Sequence, residues 1–121
     1  MDGFAGKLGV HSDSAGEGSA HLVLDAGEEH LNPAGTVHGG VLATLVDSAM
    51  GLAVRSATGE DDVPATSQLS VTYLSPGSAG RLVATAEVSK RGKHLTICEA
   101  DVEQDGETLV HAIATFAVLH G

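Results

Sequence analysis

The stretch NPAGTVHGGVLATLVDSAMG, residues 32–51, holds a histidine, a glycine pair and a lone acid at a spacing with chemical meaning. His38, Gly39 and Gly40 stand where an apolar, helix-patterned run begins, and Asp47 interrupts that run nine positions after the histidine. Glycine costs about 1 kcal/mol against alanine inside a helix, and a buried carboxylate costs more. Helix stability explains neither. A helix N-terminus exposes amide N–H groups that lack intrahelical acceptors and carries a partial positive charge. Without a Cβ, Gly39 and Gly40 would let a ligand approach those amides, where a carbonyl oxygen turning into an oxyanion is stabilised. Asp47 would then serve as nucleophile or general base.

One helix cannot bring these parts together. At about 100° per residue, nine residues place His38 and Asp47 on opposite sides, roughly 13.5 Å apart along the axis. Two chains with antiparallel central helices would set Asp47 of one beside His38 and Gly39 of the other. A site built from these residues therefore lies at a homodimer interface.

The surrounding elements follow from local pattern. The first dozen residues, rich in Gly, Ser and Asp, read as a loosely ordered opening, and residues 19–27 as a strand. Asn32-Pro33 and Gly35 mark a turn. From His38 to about Ala57, apolar residues recur at three- and four-residue steps (Val41, Leu42, Leu45, Ala49, Leu52, Ala53), which predicts one long buried helix. After Pro64 the period becomes two, with Leu69, Val71 and Tyr73 alternating with Gln68, Ser70 and Thr72. Residues 81–89, 94–103 and 108–119 read as further strands, with turns at Arg91-Gly92 and Asp105-Gly106. The apolar parity shifts between Ile97 and Ala100, which predicts a bulge or two-sided burial there. The order is strand, helix, then four strands in an antiparallel meander. This predicts an α+β fold, a sheet wrapped around one helix, with exposed edges that a dimer would pair.

The run from Asn32 to Gly51, with VTYLSP and SKRGKHLTICEADV further on, resembles the hotdog-fold acyl-CoA thioesterases. The likeness is to their phenylacetic-acid-degradation (PaaI-like) branch within the 4-hydroxybenzoyl-CoA thioesterase superfamily, and it covers nearly the whole chain. The resemblance implies a single hotdog domain over residues 1–121, an antiparallel sheet around one long central helix, dimers with a continuous sheet, and homotetramers. It implies an acyl-CoA substrate (aryl-acetyl or short- to medium-chain) and no cofactor, coenzyme A being part of the substrate. Asp47 falls on the family's catalytic acid and Gly39 on the amide that polarises the thioester carbonyl. His38 and Asn32 fall on residues that orient substrate and water, and Gly40 lies beside them in the substrate-binding stretch. Thr66 falls near a hydroxyl residue that supports the acid, with Ser67 as the alternative. Lys90, Arg91, Gly92 and Lys93 would meet the phosphates of coenzyme A, for which an acidic chain needs a local positive patch. On the same fold, an acyl-thioester hydratase or dehydratase, or a non-catalytic acyl-CoA-binding module, stands as the alternative reading.

Each of these residues also has a plain structural reading. His38-Gly39-Gly40 would serve as a tight turn, Asp47 as a satisfied interior group, and the basic run as a solvated hairpin tip.

Composition narrows the field. At 121 residues the chain fits one domain, and 42% hydrophobic residues with only 2% aromatics predict an aliphatic, alanine-rich core. A formal net charge of −10 argues against nucleic-acid binding. The single cysteine, Cys98, excludes an internal disulfide and reads as packing. The seven histidines (His11, His21, His30, His38, His94, His111 and His120) show no metal-ligand spacing, and His111 reads as a core or interface residue. No signal-peptide pattern opens the chain, and the longest apolar stretch reads as too short to span a bilayer. The expectation is a cytoplasmic protein with no membrane partner.

Overall fold

The computed structural model describes residues 1–59 and 61–119; Glu60, His120 and Gly121, and with them the reading of His120, lie outside the described residues. The long helix, α2 (Gly39–Thr58), buries Leu42, Leu45, Val46, Ala49, Met50, Ala53 and Val54 on one side, as the three- and four-residue repeat requires. Before it come a short helix α1 (Gly3–Leu8), strands β1 (His11–Gly16) and β2 (Ser19–Ala26), and a 3-10 turn at Glu28–His30. After it come β3 (Val63–Tyr73), β4 (Gly80–Arg91), β5 (Leu95–Gln104) and β6 (Glu107–Leu119). The six strands form one antiparallel sheet in the order β1-β2-β4-β5-β6-β3, with α2 against it. This is the α+β arrangement of the hotdog fold.

The sheet accepts the helix on a floor of methyl groups. Ala20, Ala86, Ala100 and Ala112 pair in register across β2, β4, β5 and β6, and all four are buried. Small side chains in one row leave a trough into which a helix can sink, in keeping with a core that has almost no aromatic residues. Phe116 is the one fully buried ring among the described residues.

Four expectations need correction. The opening residues are ordered as α1 and β1; neither buries a side chain, so no periodic signal announced them. The four C-terminal strands do not form a meander, because β3 pairs with β6 at an edge while β4 lies between β2 and β5. After Tyr73 the chain stays bonded to β6, with the Leu74 and Ser75 amides both donating to Leu109 O, before Gly77 O accepts from Val37 N at 2.9 Å. That loop carries the chain past the end of the sheet instead of folding it into a hairpin. The parity shift near Ile97 is no bulge in β5, whose Thr96, Cys98, Ala100, Val102 and Gln104 alternate strictly inward. Instead, β4 has the irregularity, at Ser89. Finally, α2 is a 20-residue helix with an 18-residue window of mean hydropathy 1.2, long and apolar enough by composition to cross a bilayer. Here it is the core helix under the sheet.

Candidate active site

The approach to α2 is a tightly bonded turn. Asn32 Oδ1 accepts from the Ala34 and Thr36 amides at 3.0 and 3.2 Å, and its Nδ2 donates to Thr36 Oγ1 at 2.9 Å. Leu31 and Val37 then form a bridge that closes the loop. Asn32 acts here on its own turn and does not reach Asp47. At the helix start, His38 Nδ1 accepts from the Gly40 amide at 2.8 Å, and His38 O accepts from Val41 and Leu42. An accepting Nδ1 places the imidazole proton on Nε2, in the neutral tautomer. Three of the first four helix amides are thus engaged. Among the described residues the fourth, Gly39 N–H, meets no acceptor.

Both glycines have a steric reason to be there. A Cβ at position 40 would stand 3.0 Å from His38 Nδ1, crowding the cap. A Cβ at position 39 would stand 3.3 Å from the Tyr73 hydroxyl, which donates to Gly39 O at 2.8 Å. Tyr73 is the participant that pattern reading missed. Its inward parity with Leu69 and Val71 was the available signal, since an inward phenol needs a partner.

Asp47 lies further along the helix, half-buried, and accepts a hydrogen bond from Thr66 Oγ1 at 2.8 Å. The register of β3 makes this contact. Thr66 pairs with Phe116 and Gln68 with Thr115, so Ser67 is the extra residue of a bulge. The bulge turns Thr66 to the helix side together with Leu69, Val71 and Tyr73. A hollow of about 380 Å3 opens beside the acid, lined by Phe4, Ala5, Ala43, Thr44, Asp47, Ser48 and Leu69. A neighbouring hollow of about 280 Å3 includes His38, Gly40, Val41 and Thr44, again with Phe4. A larger hollow, about 530 Å3, lies on the far face of the sheet among Glu87, Glu99, Asp101 and His111 and contains none of these residues.

The basic turn sits at the other end of α2. Lys90, Arg91, Gly92 and Lys93 are exposed, and Arg91 Nη1 donates to Ala57 O at 2.9 Å. A cation there complements the negative end of the helix dipole. Gly92 N donates to Leu95 O, which a Cβ at position 92 would strike. The 20-residue helix separates this turn from Gly39 by about 30 Å.

Among the described residues no three His, Cys, Asp or Glu side chains converge in a way that would hold a metal ion. Buried His30 donates from Nε2 to Leu8 O at 2.6 Å, and half-exposed His111 pairs with Asp101 at 2.7 Å, so His111 is not a core residue. Cys98 is fully buried, and burial pushes its thiol up to about 11.

A family model for the thioesterase superfamily matches residues 34–111, about two thirds of the chain. The chain belongs to the thioesterase superfamily. The matched span begins after Asn32 and takes in His38, Gly39, Gly40, Asp47, Thr66 and the basic turn. The chain is similar to acyl-coenzyme A thioesterase 13 of Homo sapiens, 38% identical over 91 residues, covering 74% of this chain and 64% of that protein. It is also similar to the acyl-coenzyme A thioesterase PaaI of Escherichia coli, 31% identical over 102 residues, covering 84% of this chain and 71% of that one. Among solved structures, a conserved protein of Pseudomonas aeruginosa superposes with a TM-score of 0.95 at 29% identity, covering 98% of this chain and 95% of that one. In this thioesterase chain the fold joins Asp47 to Thr66, His38 to Gly40 and Gly39 to Tyr73. It leaves the acid and the helix-start amide at separate places on one helix.

Proposed function

We propose that the protein hydrolyses acyl-CoA to a carboxylic acid and coenzyme A, at sites shared between two copies of the chain. The observation that carries this reading is the Thr66–Asp47 hydrogen bond beside an open hollow. A hydroxyl donating to one oxygen holds the carboxylate in place and leaves its remaining lone pairs for a water or for the thioester itself. In the general-base form, Asp47 takes a proton from water as the water oxygen bonds to the thioester carbon. The carbonyl π electrons move onto oxygen, where the Gly39 N–H of the neighbouring copy stabilises the charge. Collapse re-forms the carbonyl and breaks the C–S bond, and the thiolate takes the proton from Asp47. In the nucleophilic form Asp47 attacks the thioester carbon and the C–S bond breaks to release the CoA thiolate; water then cleaves the resulting mixed anhydride, giving the carboxylic acid, restoring the Asp47 carboxylate and supplying the proton that the thiolate takes.

His38, with its proton on Nε2, is suited to donate to the substrate, and Asn32 to brace the turn that presents it. Gly40 carries the amide that fixes the imidazole. Exposed Gly40 and half-exposed Ala43, Thr44, Asp47, Ser48 and Gly51 suit close antiparallel packing of two α2 helices. The unpaired edge of β3 suits a continuous sheet across the dimer. Exposed Val63, Leu95, Ile113 and Leu119 suit a second contact that would make a tetramer. Lys90, Arg91 and Lys93, with Gly92 shaping the turn, would hold the coenzyme phosphates. The reading also takes the enzyme to be cytoplasmic and to work without a further cofactor.

The test is free-thiol release from short-, medium-, long-chain and aryl CoA thioesters by wild type and Asp47→Ala. Release by wild type and its loss in a folded variant supports hydrolysis. Binding of every thioester without release overturns it and favours a binding module.

A further inference from the structure

We infer that His30 is a positioning residue for the site. Through Nδ1 it fixes the turn that places His38 and the free Gly39 amide, while through Nε2 it anchors α1. The inference rests on the thioesterase reading. His38 is exposed, so packing does not hold it, and its place at the head of α2 is set by the backbone. Two amides do this. Val37 N donates to Gly77 O and His38 N to His30 O, each at 2.9 Å. The first acceptor belongs to the loop after β3, the second to the 3-10 turn.

His30 itself closes that turn. Its amide donates to Gly27 O at 3.0 Å, and the Gly27 amide donates back to its Nδ1 at 2.9 Å. This reciprocal pair locks residue 30, and with it the carbonyl that receives the His38 N–H. The ring is buried, 7% exposed, and its other nitrogen reaches Leu8 O. Both nitrogens of a neutral imidazole are thereby used, one accepting and one donating. Glu29 Oε1 stands 3.1 Å from Nδ1, where only a protonated ring would donate to it. The bond from the Gly27 amide makes the neutral ring the form that closes the turn. Without that acceptor residue 30 is free to shift, and His38 and the amides behind it shift too. A misplacement on the order of 1 Å can cost a hundredfold in rate where reacting groups must align.

Amide side chains separate the two ring bonds. The Asn carbonyl stands in for Nδ1 and the Gln amide nitrogen for Nε2. His30→Asn therefore keeps the bond from Gly27 and loses the one to Leu8 O, and His30→Gln does the reverse. In the full chain, kcat and KM are measured on the best thioester of the substrate panel. Proton–nitrogen correlation spectra follow the Gly39 and Gly40 amides. His30→Gln is expected to lower kcat about tenfold, with KM within about threefold, and to move both amide signals. His30→Asn should keep kcat within about threefold and both signals in place, while its melting temperature falls as α1 loosens. Lower stability in both variants with kcat and the amides unchanged overturns the inference, since the ring would then serve the fold alone. So does a loss of kcat in His30→Asn as large as that in His30→Gln. Should His30→Gln not fold, His30→Asn decides: retained kcat and amide signals support the inference, and a loss of about tenfold overturns it. Amides displaced in His30→Gln, with no thiol release from any thioester by wild type, leave the placement standing and remove the hydrolase.

Discussion

The Thr66 hydroxyl meets Asp47 Oδ1 at 2.8 Å because Ser67, the next residue, is left out of the β3–β6 ladder. A regular strand would put Thr66 on the outer face with Gln68, Ser70 and Thr72. The bulge thus couples a strand defect to the orientation of an acid on another element. Removing the hydroxyl should leave the carboxylate mobile and its charge less well supported. Thr66→Val is expected to lower kcat about ten- to a hundredfold, the range for losing one hydrogen bond to a charged group, while Ser67→Ala should fall within about threefold. Steady-state kinetics on the preferred thioester decides this.

If each site combines Asp47 of one copy with His38 and Gly39 of the other, two dead variants should rescue each other. Asp47→Ala and His38→Ala, unfolded and refolded together in equal amounts, give half mixed dimers. Each mixed dimer has one intact site of two, so activity should recover to about a quarter of wild type. Separately refolded variants should show none of this recovery. No recovery on mixing would place the whole site within one chain.

Tyr73 holds Gly39 O through a 2.8 Å hydrogen bond and so fixes the first peptide of α2 next to the free Gly39 amide. Tyr73→Phe is expected to lower kcat about three- to tenfold with KM nearly unchanged, since a misdirected donor weakens oxyanion stabilisation more than substrate binding. A fall in melting temperature with unaltered kcat would assign the hydroxyl to stability alone.

Burial raises the Cys98 thiol from 9.0 to about 11, while the unfolded chain keeps the ordinary value. Between these values the unfolded state has released its proton and the folded state has not. Stability therefore falls as pH rises through that window, by on the order of 2 kcal/mol, and is fully retained below pH 9. Urea unfolding at pH 8 and pH 10.5 should show this loss, and Cys98→Ala should remove most of the cysteine-dependent part of the slope.

The parts legible in sequence are those with local signals. Helix periodicity placed α2 within a residue or two, and Asp105-Gly106 read correctly as a hairpin turn, both residues having positive φ. Residues 3–8 and 11–16 gave no such signal because none of their side chains is buried in α1 or β1. The separation of β3 from β4 was also hidden, since strand partners are chosen by burial across the whole sheet. At the candidate site, residue types and spacing marked Asp47 and the two glycines. The side of β3 on which Thr66 stands depended on one unpaired residue, which alternation cannot reveal. The bond between Tyr73 and Gly39 joins positions 34 residues apart, beyond any local pattern.

The row of alanines across β2, β4, β5 and β6 sets a tolerance as well as a fit. Asp47 belongs to the helix and Thr66 to the sheet, so the gap between them depends on how deeply α2 rests on those methyl groups. A valine at Ala86, Ala100 or Ala112 would act as a shim, raising the helix by a fraction of an ångström while touching none of the site residues. The alignment of acid and hydroxyl is gauged by some of the smallest side chains in the molecule, at positions where drift in size would be felt first as misalignment and only later as unfolding.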